Sequence, residues 1–427
     1  MLTKSCPIYK LTDFLSLLQE KGERVHSIKK TSSKPAISIF HRIDDVEQDE
    51  WNAVVPKEKA LMRHPYLRAI ENSARGGEQS RYMLMYKDEK PVAAAVFNIV
   101  QLTGEDYRLA TSECSPMDRL KNSLKGKTKL RVLVCGHTHI SGDHGFIYSD
   151  AISAAEAYSA LSYACQEISQ NEKSRGHIDL ILIKDFYEEE FDASASLADF
   201  KYRNFQVDPN MILSIRLDWK EFEDYLNAMS SKYRKKAVST IKQGAALERR
   251  SLTAAEIEVS FDKIQQLYSN VTNKAKVRLN HFDTTYFIQL KLQLQDDFEL
   301  IGYYLEGELL GFNTTLYWDN NCEAHSIGMN YDFNAPYALY QNMLYDQVRS
   351  AITKKKSKLI LGRTAMEMKS NFGAEPYEMC CYVRHSGQLI NKALKPVFNY
   401  IKQTEWTQRR PFKESLAPSP AENVVIA

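Results

Sequence analysis

Short apolar runs broken by charged turns recur in two parts of the chain. Residues 81–100 read RYMLMYKDEKPVAAAVFNIV and residues 299–318 read ELIGYYLEGELLGFNTTLYW. In each, an apolar strand carrying Tyr leads into an acidic turn (Asp88, Glu306). A second strand with a small residue near its start (Ala93, Gly311) follows, which predicts a β-hairpin. Further on, each half has a long stretch of 3.6-residue periodicity, AISAAEAYSALSYACQEIS and PYALYQNMLYDQVRSAITKKK, which predicts an amphipathic helix. A short apolar strand (HIDLILIKDF, KLILGRTA) and a closing strand (YRNFQVDPNMILSIRLD, EPYEMCCYVRH) complete each half. The pattern is that of an internal duplication.

Each half therefore runs β-αα-ββ(β)-α-β-α-β. That order suits an α/β fold of two tandem units, each a mixed, mostly antiparallel sheet flanked by helices. It does not suit a doubly wound parallel sheet, because a hairpin joins the early strands. The expected divisions are a helix and linker over 1–35, units over 36–217 and 218–408, and a disordered Pro/Ser/Ala-rich tail over 409–427. Residues 102–130 have no counterpart in the second half and read as a flap. Residues 219–245, WKEFEDYLNAMSSKYRKKAVSTIKQGA, read as helix, as does 387–406.

At 427 residues, each unit can bury its own core. The net charge of +2 argues against a nucleic-acid coat protein. The seven cysteines are scattered without a CxxC pair, so neither a disulfide framework nor a zinc ribbon is indicated, and reduced thiols in a cytoplasm are expected. The N-terminal stretch lacks a signal peptide's apolar region, and no apolar run approaches the ~18 residues of a membrane span. Attachment to the inner face of a membrane stays open.

The order of elements resembles the GNAT acyltransferase fold, in tandem. Residues 230–251, SSKYRKKAVSTIKQGAALERRS, resemble the segment that opens the second domain of Fem-type peptidoglycan aminoacyl transferases, with Lys232, Arg234, Lys235, Lys236 and Gly244 in the matching places. LILGRTAMEMKSNFGAEPYE resembles the closing motif of the wider family that includes acetyltransferase-like domains encoded beside 8-amino-7-oxononanoate-synthase-like enzymes, through Gly362, Arg363, Lys369, Phe372, Gly373 and Ala374. The resemblance covers roughly residues 36–405. Residues 251–297 are shorter than the helical arm of Fem enzymes, and the pyrophosphate loop of ordinary acetyl-CoA enzymes is absent.

The resemblance implies an N-acyltransferase with no bound cofactor. Its acyl or aminoacyl group would come from acyl-CoA, an acyl-carrier protein or aminoacyl-tRNA. It would pass to an amine on an amino-lipid or cell-wall precursor. A GNAT-fold ligand-binding or scaffold protein is the competing class, and an RNA-binding protein a third.

Direct attack by an amine needs a proton acceptor, donors for the oxyanion and a grip on the donor's phosphate or pantetheine. The loop after KLRVLVCG holds Gly142, His144, Gly145 and Tyr148. Glycines admit a ligand close to the backbone, and a helix N-terminus favours anions. His137, His139 and Asp143 stand in the same loop, but the set is looser than zinc sites usually show, so no metal is expected. Glu323 and His325 lie two apart, on one face of a strand, as a candidate base pair. Asn330 and Tyr337 follow as candidate binders, and Tyr340 as proton donor to the leaving group. Arg363, at the end of a buried strand, and Lys369 are candidates for holding a phosphate or carboxylate. Arg234 heads a basic stretch that could meet tRNA, an acidic carrier protein or an anionic membrane. Arg63-His64-Pro65-Tyr66-Leu67 stands where related domains carry an aromatic or His-Pro element near the acceptor.

Overall fold

The computed structural model describes residues 36–73, 79–102, 129–274, 282–392 and 405–413. The first half begins with β1 (Ala36–Phe40), α1 (Gln48–Val54) and α2 (His64–Ser73), then the hairpin β2 (Gln79–Lys87) and β3 (Lys90–Leu102). It continues through β4 (Leu130–Cys135), β5 (Phe146–Tyr148), α3 (Ala154–Asn171), β6 (Leu180–Tyr187) and β7 (Arg203–Ser214). The second half opens with α4 (Phe222–Ala228), α5 (Ser231–Gln243), β8 (Glu248–Ser251), α6 (Ala254–Val259), α7 (Phe261–Thr272) and α8 (Thr284–Leu294). The strands β9 (Phe298–Leu305), β10 (Glu308–Trp318) and β11 (Asn321–Met329) follow. Then come α9 (Leu339–Thr353), β12 (Lys358–Ile360), α10 (Met366–Ser370) and β13 (Glu375–His385).

Both hairpin turns need two successive residues with positive φ, Asp88 and Glu89 in one, Glu306 and Gly307 in the other. That geometry matches the right-handed twist of the strands it joins. The helix α3 starts at a capping box in which Ser153 Oγ accepts from Glu156 N and the Glu156 carboxylate accepts from Ser153 N.

The strands form one sheet in the order β1-β2-β3-β4-β6-β13-β7-β12-β11-β10-β9-β8, with β5 pairing to β3. Pairings are antiparallel except β4 with β6 and β11 with β12, where α3 and α9 supply the crossovers. Read inward from its two ends, the order is the same for the two halves. At the centre the closing strands are exchanged: β13 lies against β6, and β7 lies against β12. The long β13–β7 pairing joins them. A second join lies to one side of the sheet. There Leu61, Tyr66, Ala69, Ile70 and Ile140 of the first half share an apolar core with Ile257, Phe282, Tyr286 and Phe287 of the second.

Three sequence expectations change. The stretch 219–245 is not one helix: it breaks at Met229, whose extended backbone bridges to Phe412. The helix expected from Pro336 starts at Leu339, after Ala338 at φ 48°. There Asn342 Nδ2 takes up the carbonyls of Tyr337 and Ala338. Arg409–Lys413, the start of the stretch expected to be disordered, are packed. Arg409 N donates to Ser370 Oγ, and Phe412 lies against Trp219 and Tyr225. The expected helix and linker over 1–35, most of the 102–130 flap, most of the last helix and residues 414–427 lie outside the described residues.

Candidate active site at the seam of the two halves

The end of β12 gathers three of the candidate residues. Glu323 of β11 stands in register with Ile360. Two residues on, Gly362 O accepts from Lys369 Nζ at 3.2 Å, and the next residue, Arg363, donates from Nη1 to Asp185 Oδ1 at 3.0 Å. A sharp turn makes this possible, because Gly362 has a φ of 78° and Ala365 one of 53°. Only glycine adopts such a backbone without cost.

Glu323, Lys369 and Asp185 are buried, Arg363 is half-buried, and burial shifts their protonation. Glu323 has no partner on Oε2 and is 2% exposed, so its carboxyl is held well above the usual range. Burial pulls the Lys369 ammonium down to about 7. Asp185 is fully buried, which by itself would raise it, but Arg363 and Lys184 outweigh this and keep it below its ordinary value. Asp185 also accepts Gly142 N at 3.2 Å and Cys381 Sγ at 3.4 Å, and it holds a left-handed backbone at φ 62°.

A set of rings covers the same region from both halves. Tyr66 OH of α2 lies 2.7 Å from His139 Nε2, and Tyr286 OH of α8 lies 2.7 Å from His325 Nε2. The two phenols are 3.5 Å apart. His139 and His325 meet edge to face with centroids at 5.8 Å, and His144 meets Trp318 of β10 in the same way. Burial lowers every one of these imidazoles: His137 and His325 to about 3, His144 to about 4, and His139 well below its usual value. All four are neutral at physiological pH. Lys184 Nζ donates to the carbonyls of His137 and Ile140, and Lys59 pairs with Asp143, so the loop is tied down from two sides.

The structure thus joins Arg363 and Gly142 through Asp185, sets His144 against Gly142, puts Glu323 and Lys369 at the end of β12, and places His325 in the set of rings. It places the other candidates elsewhere. Tyr148 packs its ring on Phe146 and Tyr158 in the first half's core. Gly145 lies so close to Gly136 that a Cβ would meet its N at 2.6 Å, a packing role. Arg234 is exposed on α5 and bonds Asn227. Asn330 caps the turn after β11 through Asp332 N, Tyr337 stacks on Phe333, and burial raises Tyr340 to about 12.

Two expectations about mechanism are corrected. The glycine loop does not run into the N-terminus of α3: β5 intervenes, and the helix is capped by its own Glu156. Glu323 and His325 do not share a hydrogen bond, since His325 Nε2 is bonded to Tyr286. Among the described residues no group of His, Cys, Asp and Glu has the arrangement of a metal site. The sequence does not point to Lys184, Asp185, Tyr286 or the pair in which Asn210 Nδ2 donates to Tyr187 OH at 2.8 Å. The only signal for the first two was a Lys-Asp pair inside the otherwise apolar LILIKDFY.

Residues 42–322 match the FemAB-like family, described as peptidoglycan biosynthesis/recognition. The fold is similar to the crystal structure of FemX, with a TM-score of 0.52 at 13% identity, over 84% of this chain and 100% of that one. It is also similar to a tandem GNAT protein from the clavulanic acid biosynthesis pathway, with a TM-score of 0.50 at 9% identity, over 83% of this chain and 99% of that one. No curated protein matches the sequence. The two halves are GNAT-like units in tandem, and the chain belongs to the FemAB-like family.

Proposed function

We propose that the chain transfers an acyl or aminoacyl group from an ester or thioester donor to an amine on a cell-wall precursor or amino-lipid. The observation that carries this reading is three buried or half-buried ionisable groups at the end of β12: Glu323 on the strand beside Ile360, Lys369 bonded to Gly362 O, and Arg363 paired with Asp185. Burial holds the Glu323 carboxyl well above its usual range and lowers the Lys369 ammonium to about 7, the directions in which a buried base and a buried acid are tuned.

Glu323 takes a proton from the acceptor's ammonium. The amine then attacks the donor carbonyl, and the C–N bond forms. Lys369 and Arg363 stabilise the oxyanion. As the C–O or C–S bond breaks, Lys369 protonates the leaving oxygen or sulfur, and the tetrahedral nitrogen's remaining extra proton restores Lys369. Net, one proton passes through Glu323 to solvent. His325 is too weak a base for this work, and its Nε2 is bonded to Tyr286. The donor is aminoacyl-tRNA, acyl-CoA or an acyl-carrier protein.

The test is a transfer assay with aminoacyl-tRNA and acyl-CoA donors against amine-bearing peptidoglycan precursors and amino-lipids. Glu323→Gln and Lys369→Met are each expected to lower kcat by about 10²-fold or more while the circular dichroism spectrum is kept. Turnover unchanged in either folded variant overturns the assignment.

A further inference from the structure

A cavity of about 430 Å³ lies at the end of β6 and β13 away from Asp185, where Leu180 pairs with His385. Five basic side chains line it: Lys173, Lys201, Arg203, Arg384 and Lys392. The imidazoles of His177 and His385 join them, and the rest of the lining is amide, hydroxyl or aliphatic. No carboxylate is among the lining residues, and no ion pair neutralises any of the five among the described residues. Five like charges around one hollow repel one another unless an anion enters.

The frame is prebuilt. Asn391 Nδ2 donates to Lys201 O, and Asn391 Oδ1 accepts from His385 N. The Arg384 guanidinium lies over the Tyr202 ring at 4.8 Å and donates to Phe200 O. Arg203 Nε is closed off from solvent and has no acceptor. A charged donor buried without an acceptor is costly, and an anion in the cavity would satisfy it.

Beside these charges stand two adjacent apolar side chains, Leu389 at 83% and Ile390 at 53% exposure. They lie between the lining residues Gln388 and Asn391. A soluble anion has no use for them, whereas a bilayer takes cations at its phosphates and aliphatic side chains just below. No Phe, Tyr or Trp lines the cavity, so the stacking platform of a single-strand nucleic-acid site is missing.

We infer that this cavity binds the phosphate of an anionic phospholipid at a membrane surface, with Leu389 and Ile390 entering the interface. The reading does not depend on the proposed chemistry at the seam.

The test is co-sedimentation of the full chain with phosphatidylcholine vesicles, with and without phosphatidylglycerol, at low and high salt. Binding is expected only with phosphatidylglycerol, and it should weaken at high salt. Arg203→Gln with Arg384→Gln is expected to weaken it about tenfold or more. Leu389→Ser with Ile390→Ser, at exposed positions that do not threaten the fold, should do the same. Equal binding to both vesicles, or wild-type binding by both double variants, overturns the inference. Thermal stabilisation by glycerol phosphate or inorganic phosphate without vesicle binding overturns it in favour of a soluble anion. Tighter binding to a short RNA than to the vesicles overturns it in favour of nucleic acid.

Discussion

Lys369 holds its charge at a cost, and the cost has a sign. Its pKa falls from 10.5 to about 7 on burial, so between those values the unfolded chain binds the extra proton and the folded one does not. This residue therefore makes the protein more stable as pH rises from 7 to 10.5, and its full penalty applies below 7. Lys369→Met is expected to raise stability at pH 6 by up to about 5 kcal/mol, with the gain vanishing near pH 10.5. Urea unfolding at the two pH values checks this. With the ammonium as proton donor to the leaving group, activity is expected to fall as pH rises through 7, and Lys369→Arg, whose guanidinium gives up no proton, is expected to be inactive. Lys369 and Arg363 stood out in the sequence because a charge just after an apolar strand has few places to go. Glu323 and His325 stood out through their two-residue spacing. Tyr286 did not, because a Tyr on a helix reads as packing. Its contact with His325 exists only once α8 docks across the seam, which local periodicity does not report. Asp185 was hidden by the apolar strand that carries it.

Among the elements, the exchange of β7 and β13 decides what can stand alone. Without β13 the β6 edge is open, and β7 has lost both of its neighbours. Exposed edges of this kind pair with other chains. Residues 36–217 produced alone are expected to associate or stay incompletely folded, and co-production with 218–413 to rescue them. Light scattering of the separate and joined pieces checks it, and a monodisperse, cooperatively folding first half would refute it. The strands and crossovers were legible because period-2 and period-3.6 patterns report which face of an element is buried. That pattern does not name the neighbour: β7 and β13 read as ordinary closing strands, each of its own half. The break at Met229 was hidden for a similar reason. The apolar spacing continues through it, and what ends α4 is Phe412, far along the chain.

For the whole molecule, the seam ties stability to acidity. His137, His139, His144 and His325 are held neutral by burial, whereas in the unfolded chain they titrate near 6.5. As pH falls from 6.5 toward 4, the unfolded state takes up protons that the folded state refuses. Each such histidine removes about 1.4 kcal/mol per pH unit. The melting temperature is expected to drop steeply over this window, and His144→Gln to flatten the drop. A melting temperature constant from pH 6.5 to 4.5 would contradict the neutral cluster. The exchanged strands have one more consequence, in time. β13 begins at Glu375, 188 residues after β6 ends at Tyr187. On the ribosome, at 5–20 residues per second, that interval is roughly 10 to 40 s. Through all of it the nascent first half waits with its central edge unpaired. A chaperone that covers a bare β-edge would therefore be needed during translation rather than after it.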